Sequence, residues 1–226
     1  NRVSVTVNGV GVPFTWDDST KTSYKLQLQD GENKVVITAW DDEGRTASLA
    51  YTIYGTAVED GGLIGTATIS IEASTIGLGY LIPPSKVEVH QVNPTSYILD
   101  QLLSDHGFDY EFTGAHKNNF YLSVITKENM VANPSIPEDL AQLVEEASDF
   151  YDPESYHENS LGEFDFANGS GWMYSVNGSY PNFGFADSYL NDGDVVRVRF
   201  TLHYGKDIGG YGSMGQGSGG DWYKEW

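Results

Sequence analysis

Gly171-Trp-Met-Tyr-Ser-Val-Asn-Gly178 carries the most specific pattern in the chain. Trp172, Tyr174 and Val176 alternate with smaller or thinner side chains, the period of a strand with one buried face. Asn177-Gly178 follows directly. Both central positions of a type I′ turn need positive φ, so this pair is a strong hairpin signal. Downstream, Leu190-Asn-Asp-Gly-Asp marks another turn before the strand Val195-Val-Arg-Val-Arg-Phe200. Upstream, Ala67-Thr-Ile-Ser-Ile-Glu predicts a strand with Ile69 and Ile71 inward. Pro83-Pro84 predicts a rigid turn, and Val87 and Val89 a short strand.

Between these strands the periodicity changes. After Asn93-Pro94-Thr95, the residues Ile98, Leu99, Leu102 and Leu103 form a helical stripe. Asn93 or Thr95 is the expected cap and Gly107 the expected stop. Tyr110–Phe112 and Phe120–Ile125 read as strands. A second helix is expected over 137–151, with Pro137 and the acidic Glu138-Asp139 in its first turn and Leu140, Leu143, Val144 and Ala147 on one face.

The first fifty-four residues read as β-structure throughout. Val3, Val5 and Val7 run into Asn8-Gly9; Tyr24, Leu26 and Leu28 run into Asp30-Gly31. Val35, Ile37 and Ala39 precede the turn Asp41-Asp-Glu-Gly44, and Leu49, Tyr51 and Ile53 alternate after it. This rhythm fits an antiparallel sandwich. Residues 55–66 are Gly-rich and read as a linker. Residues 211–226 form a Gly-rich tail whose Trp222, Tyr223 and Trp226 argue that part of it packs.

Two resemblances follow from these residues. Val-Thr-Val-Asn-Gly at 5–9 and the run from Leu28 to Gly44 resemble bacterial immunoglobulin-like repeats over residues 1–54. Such repeats carry further strands upstream, so the chain is expected to start inside a module. The resulting open edge and half-covered core would then be covered by the second domain. Gly171–Gly178, Gly184–Phe200 and the helix opening Pro-Thr-Ser-Tyr-Ile-Leu-Asp look like the C-terminal domain shared by transcobalamin and intrinsic factor. They resemble more closely the transcobalamin-like domains of Gram-positive surface proteins, an uncharacterised family known as a domain of unknown function. That likeness spans 67–210. It implies a β-grasp-like fold in which a helix crosses a mixed sheet. The expected fold class is therefore mainly β, with an α+β second domain: a partial Ig-like β-sandwich followed by a β-grasp-like domain.

Composition narrows the function. The chain has 226 residues, with 32 Asp and Glu against 12 Lys and Arg, a net charge of −20. Such a surface repels phosphate backbones and anionic lipid, and no apolar run approaches a membrane span. With no cysteine there are no disulfides and no thiolate chemistry. His90, His106, His116, His157 and His203 are scattered without metal-ligand spacing. The carboxylate runs 41–43, 149–154 and 192–194 lack the periodic spacing of a calcium loop and read as solvated turns.

The candidate site is aromatic. Trp172 and Tyr174 are open to two readings, a ligand platform or core on an alternating strand. Tyr180, Phe183 and Phe185 sit in the segment after the hairpin, where they either make contacts with a partner or staple the sheet. In the vertebrate relatives the Trp-bearing strand and the Gly-x-Ala-Asp loop lie near the corrin. The resemblance therefore adds the 181–187 segment, including Asp187. The large helical barrel that completes a cobalamin carrier is not encoded here. The expectation is a monomeric, non-enzymatic binding or adhesion module of an exported, multi-domain Gram-positive surface protein, with no cofactor. Its partner would be an extracellular protein, a glycan or a small ligand. A corrinoid-like ligand is the alternative, and a carboxylate or metal-dependent hydrolase the third.

Overall fold

The fold was established as a computed structural model that describes residues 2–16, 21–55, 61–214 and 220–226. The chain divides into two units, Asn1–Glu59 and Asp60–Trp226, and is mainly β with several sheets.

In the first unit, β1 (Val3–Val7), β2 (Val10–Val12), β5 (Gly31–Trp40) and β6 (Thr46–Gly55) form an antiparallel sheet in the order β2-β1-β5-β6. The short strands β3 (Phe14–Trp16) and β4 (Thr22–Tyr24) pair separately. Asn8 and Gly9 take φ of 52° and 83°, the left-handed geometry their hairpin needs. The register Val7↔Val35↔Tyr51 and Val5↔Ile37↔Leu49 places these side chains on one face. Val5, Val7 and Val35 are buried there under Val12, Tyr24 and Leu26. Leu49 and Tyr51 share that face but are 62% and 51% exposed, against the expectation that they point into a core. β6 is the edge of the sheet, and Ile53 is the residue it packs against that cluster. The strand expected through Leu28 stops at Tyr24, and Leu28 is exposed.

Asn33 explains the Gly-x-Asn signature. Its side chain is buried and replaces a stretch of ladder. Nδ2 donates to the carbonyls of Gln29 (2.7 Å) and Gly31 (3.1 Å), while Oδ1 accepts from the Gln29 amide (2.8 Å) and Asn8 Nδ2 (3.0 Å). A Cβ on Gly55 would lie 2.4 Å from the Gln29 carbonyl oxygen, so only glycine fits beside this knot.

The second unit is built from β7 (Leu63–Ala73), β8 (Gly79–His90), α1 (Thr95–Asp105), β9 (Asp109–Ala115), β10 (Asn118–Thr126), α2 (Glu138–Ala147), β11 (Ser160–Gly162), β12 (Gly171–Val176) and β13 (Val195–Thr201). One sheet has the order β12-β13-β7-β8, with β13 and β7 parallel at its centre. The other is the antiparallel sheet β11-β10-β9. Strand β7 begins at Leu63, inside the stretch expected as linker; residues 56–60 of that stretch lie outside the described residues.

Several local expectations hold. Ile69, Ile71 and the α1 stripe Ile98, Leu99, Leu102 and Leu103 are buried in one core. Gly107 (φ 68°) ends α1 in a Schellman arrangement, with Phe108 N–H on the Leu103 carbonyl and Gly107 N–H on the Ser104 carbonyl. Asn177 and Gly178 (φ 51° and 81°) close a two-residue turn between Val176 and Ser179.

Others are corrected. Pro83-Pro84 is not a turn but lies within β8. That strand is an edge, where a missing N–H costs no ladder bond, and a bulge absorbs the pair. Neither Asn93 nor Thr95 caps α1 with its side chain. Its first amides are met by backbone instead: Thr95 N–H bonds the Ser188 carbonyl (2.7 Å) and Ser96 N–H the Phe185 carbonyl (3.2 Å). Helix α2 ends at Ala147, which is exposed.

The residues expected as a tail belong to this unit. Ser70, Glu72, Arg197 and Arg199 stand on the face of the sheet opposite the apolar core. Segments 204–214 and 220–226 cover that face. Arg197 meets Glu72 in a bidentate pair (2.9 and 2.7 Å). Arg199 donates to Tyr180 Oη, the Ile208 carbonyl, Glu225 and the Trp226 main-chain oxygen. Trp222 stacks on His203 (5.6 Å, 10°). Asp139 of α2 accepts from Lys224, Tyr223 and Trp226, and the Lys224 contact holds its carboxyl below the ordinary range. A depressed carboxyl stabilises above its unfolded value, 3.8, and loses that contribution as pH falls through the folded value. Tryptophan fluorescence in acid titration is therefore expected to report release of 220–226 only below pH 3.8. Asp139→Asn should remove that acid dependence and loosen the segment at neutral pH without releasing it, because Arg199, Lys206 and Asp207 still hold Glu225, Trp222 and Trp226.

Candidate functional site

Strand β12 presents Trp172 and Tyr174 to the interior, where they are 7% and 6% exposed. The Trp172 indole N–H donates to the Leu161 carbonyl (2.9 Å), and the ring meets Phe200 edge-on. Tyr174 donates to the Phe183 carbonyl (2.9 Å) and stacks on Phe185 at 4.2 Å; burial pushes its phenol up to about 12. Phe185 is held inward because its own carbonyl receives the Ser96 amide at the start of α1. It lies edge-on to Phe120 of β10 at 6.1 Å.

These rings are the floor and wall of a groove of about 250 Å³. Phe120, Tyr121 and Leu122 of β10 form one side, residues 172–174 of β12 the floor, and Pro181–Phe185 one end. Ser213 and Met214 close the remaining side. The groove brings together Trp172, Tyr174, Phe183 and Phe185. It does not include Tyr180 or Asp187. Tyr180 packs against Gly210 and bonds the Ile208 carbonyl (2.9 Å) beside Arg199, so it anchors the polar face of the sheet. Asp187 is exposed outside the groove. The three aromatics, read as either partner contacts or staples of the sheet, separate: Phe183 is 45% exposed, Tyr180 is half-buried and Phe185 is buried.

A second, acidic hollow of about 630 Å³ adjoins the first through one hydrogen bond, Tyr121 Oη to Glu163 (2.6 Å). It is lined by Glu111, Glu158, Glu163 and Asp165, with Tyr156 and His157. Asp165 accepts from the Gly162 amide (2.8 Å) and from His157 Nδ1 (3.3 Å), yet burial dominates and raises its pKa. No sequence spacing announces this hollow, because β9, β10, β11 and the turn after β11 each contribute residues.

The carboxylate runs serve their own turns. Asp41 accepts from the Glu43 and Arg45 amides, Asp152 from the Glu154 amide, and Asp194 from the Asn191 amide. Among the described residues no helix is long and apolar enough to cross a membrane.

The geometry therefore defines a mainly β unit carrying an aromatic groove beside an acidic hollow. A family described as a domain of unknown function (DUF4430) matches residues 154–202, which supports assigning this part of the chain to it. The matched stretch contains β11, β12, β13 and the 181–185 segment, and hence much of both depressions. No curated protein matches the chain.

Proposed function

We propose that the chain is a non-enzymatic binding module of an exported, multi-domain bacterial surface protein, and that the aromatic groove is its contact site. The first unit acts as an immunoglobulin-like spacer. The second is β-grasp-like, a reading supported by the crossing helix α1 after the β7–β8 hairpin and by the parallel centre of the order β12-β13-β7-β8. The observation that carries the proposal is the convergence of Trp172, Tyr174, Phe183 and Phe185 on one open groove. Its volume suits one ring or one side chain rather than a corrin.

Saturation-transfer NMR with a library of small aromatic fragments tests the site. The full chain is expected to give transfer that Phe183→Ala reduces at least about tenfold while the melting temperature stays within about 2 °C, as for an exposed side chain. Absence of transfer from every fragment overturns the reading. Cobalamin and cobinamide at about 100 μM are expected to leave tryptophan fluorescence unchanged. Quenching by either would transfer the site to the corrinoid reading. Protease shaving of intact cells should remove the chain if it is displayed at the surface.

A further inference from the structure

We infer that the groove takes an extended polypeptide, which adds to the free edge of β12, seats an apolar side chain beside Phe183, and lays a lysine or arginine over the acidic hollow. This rests on the groove being the contact site.

The edge is the first observation. β12 is the outer strand of its sheet, and among the described residues β13 is its strand partner, with a single bridge from Val176 to Ser179 on the outer side. The Asn177 amide bonds the Val195 carbonyl at 2.8 Å, which fixes the phase of the ladder. Peptide groups alternate along an antiparallel pair, so Gly171, Met173 and Ser175 face β13, and Trp172, Tyr174 and Val176 face away. Val176 confirms the phase, because it exchanges bonds with Ser179 on that outer side (2.9 and 3.0 Å). Among the described residues none bonds the outward N–H or C=O of Trp172 or Tyr174. The side chains of both residues are turned into the core, which leaves the main-chain groups to define the edge. An added strand would satisfy all four groups.

The groove is the second observation. Its floor is this same edge, so a strand laid there has every second side chain directed at the aromatic wall. Charge is the third. The Tyr121–Glu163 bond joins the groove to a hollow lined by four carboxylates and no lysine or arginine. A cation one or two residues from the apolar anchor lies in a favourable field.

Two experiments decide the matter. In the free protein, the amides of Trp172 and Tyr174 are expected to exchange with deuterium about a hundredfold faster than those of Met173 and Ser175. Equal protection means the edge is closed and overturns the inference. Short random peptides displayed on phage are then selected on the full chain. Enriched sequences should alternate apolar residues and carry Lys or Arg. In the best synthetic binder, N-methylation of one backbone amide should weaken binding at least about tenfold, and Glu163→Gln should weaken it about threefold. A binder that tolerates N-methylation at every position but is lost with Phe183→Ala overturns strand addition and leaves the groove as the contact site. Failure to enrich any peptide that distinguishes the parent from Phe183→Ala overturns the inference. The fragment screen then reports separately on the groove.

Discussion

Arg199→Ala is expected to cost the second unit about 3–5 kcal/mol in urea unfolding, the range for breaking a buried ion pair. Arg199 is 3% exposed and Glu72 2%. The substitution strips donors from the Ile208 carbonyl, the Trp226 main-chain oxygen, Tyr180 and Glu225 together. Burial by itself would raise the Glu72 carboxyl; the bonds from Arg197 and Ser70 and the two arginine charges outweigh it and hold the group low. A depressed carboxyl contributes stability above its unfolded value, 4.5, and loses it as pH falls through the folded value. The gap between parent and variant should therefore narrow in acid by the Arg199–Glu72 share alone, since the bonds to Ile208, Trp226 and Tyr180 do not titrate there. Equal urea midpoints for the two at pH 7 would show that solvent, not the covering segments, satisfies the polar face.

Asn33→Ala is expected to remove about 2–4 kcal/mol from the first unit, because it deletes four hydrogen bonds and leaves the Gln29 peptide groups without partners. Among the described residues the buried core there is Val5, Val7 and Val35, so a loss of that size consumes most of the unit's margin. The methyl resonances of those valines should collapse toward random-coil positions, while those of Ile69 and Ile71 keep their dispersion. Retained dispersion in all of them would mean that the knot at the turn is ornamental. Asn33→Asp, which sets a buried carboxylate oxygen against the Gln29 and Gly31 carbonyls, should cost at least as much.

What was legible in the sequence was local. Asn8-Gly9 and Asn177-Gly178 need a backbone conformation that few residues tolerate, so their turns are written in two letters. The α1 stripe and Gly107 fix a helix within one short window. What escaped depended on partners far along the chain. Pro83-Pro84 reads as a turn unless β8 is known to be an edge. Phe185 and Tyr180 look alike in a loop, yet one is drawn in by the α1 amides and the other turned away by Gly210 and Arg199. Arg197 and Arg199 alternate with apolar residues as solvent-facing positions would, and among the described residues it is 204–214 and 220–226 that turn their face into an interior. The acidic hollow draws on strands scattered from Glu111 to Asp165, so no motif could announce it.

The central strand pair joins Thr68 to Val195 and Glu72 to Arg199. A ribosome would have made nearly the whole unit before that pair could close, and the residues sealing Arg199 emerge later still. Until then β7 and β8, with α1 packed against them, lack the strand at the centre of their sheet. Such a unit completes its fold late and slowly, as high contact order dictates.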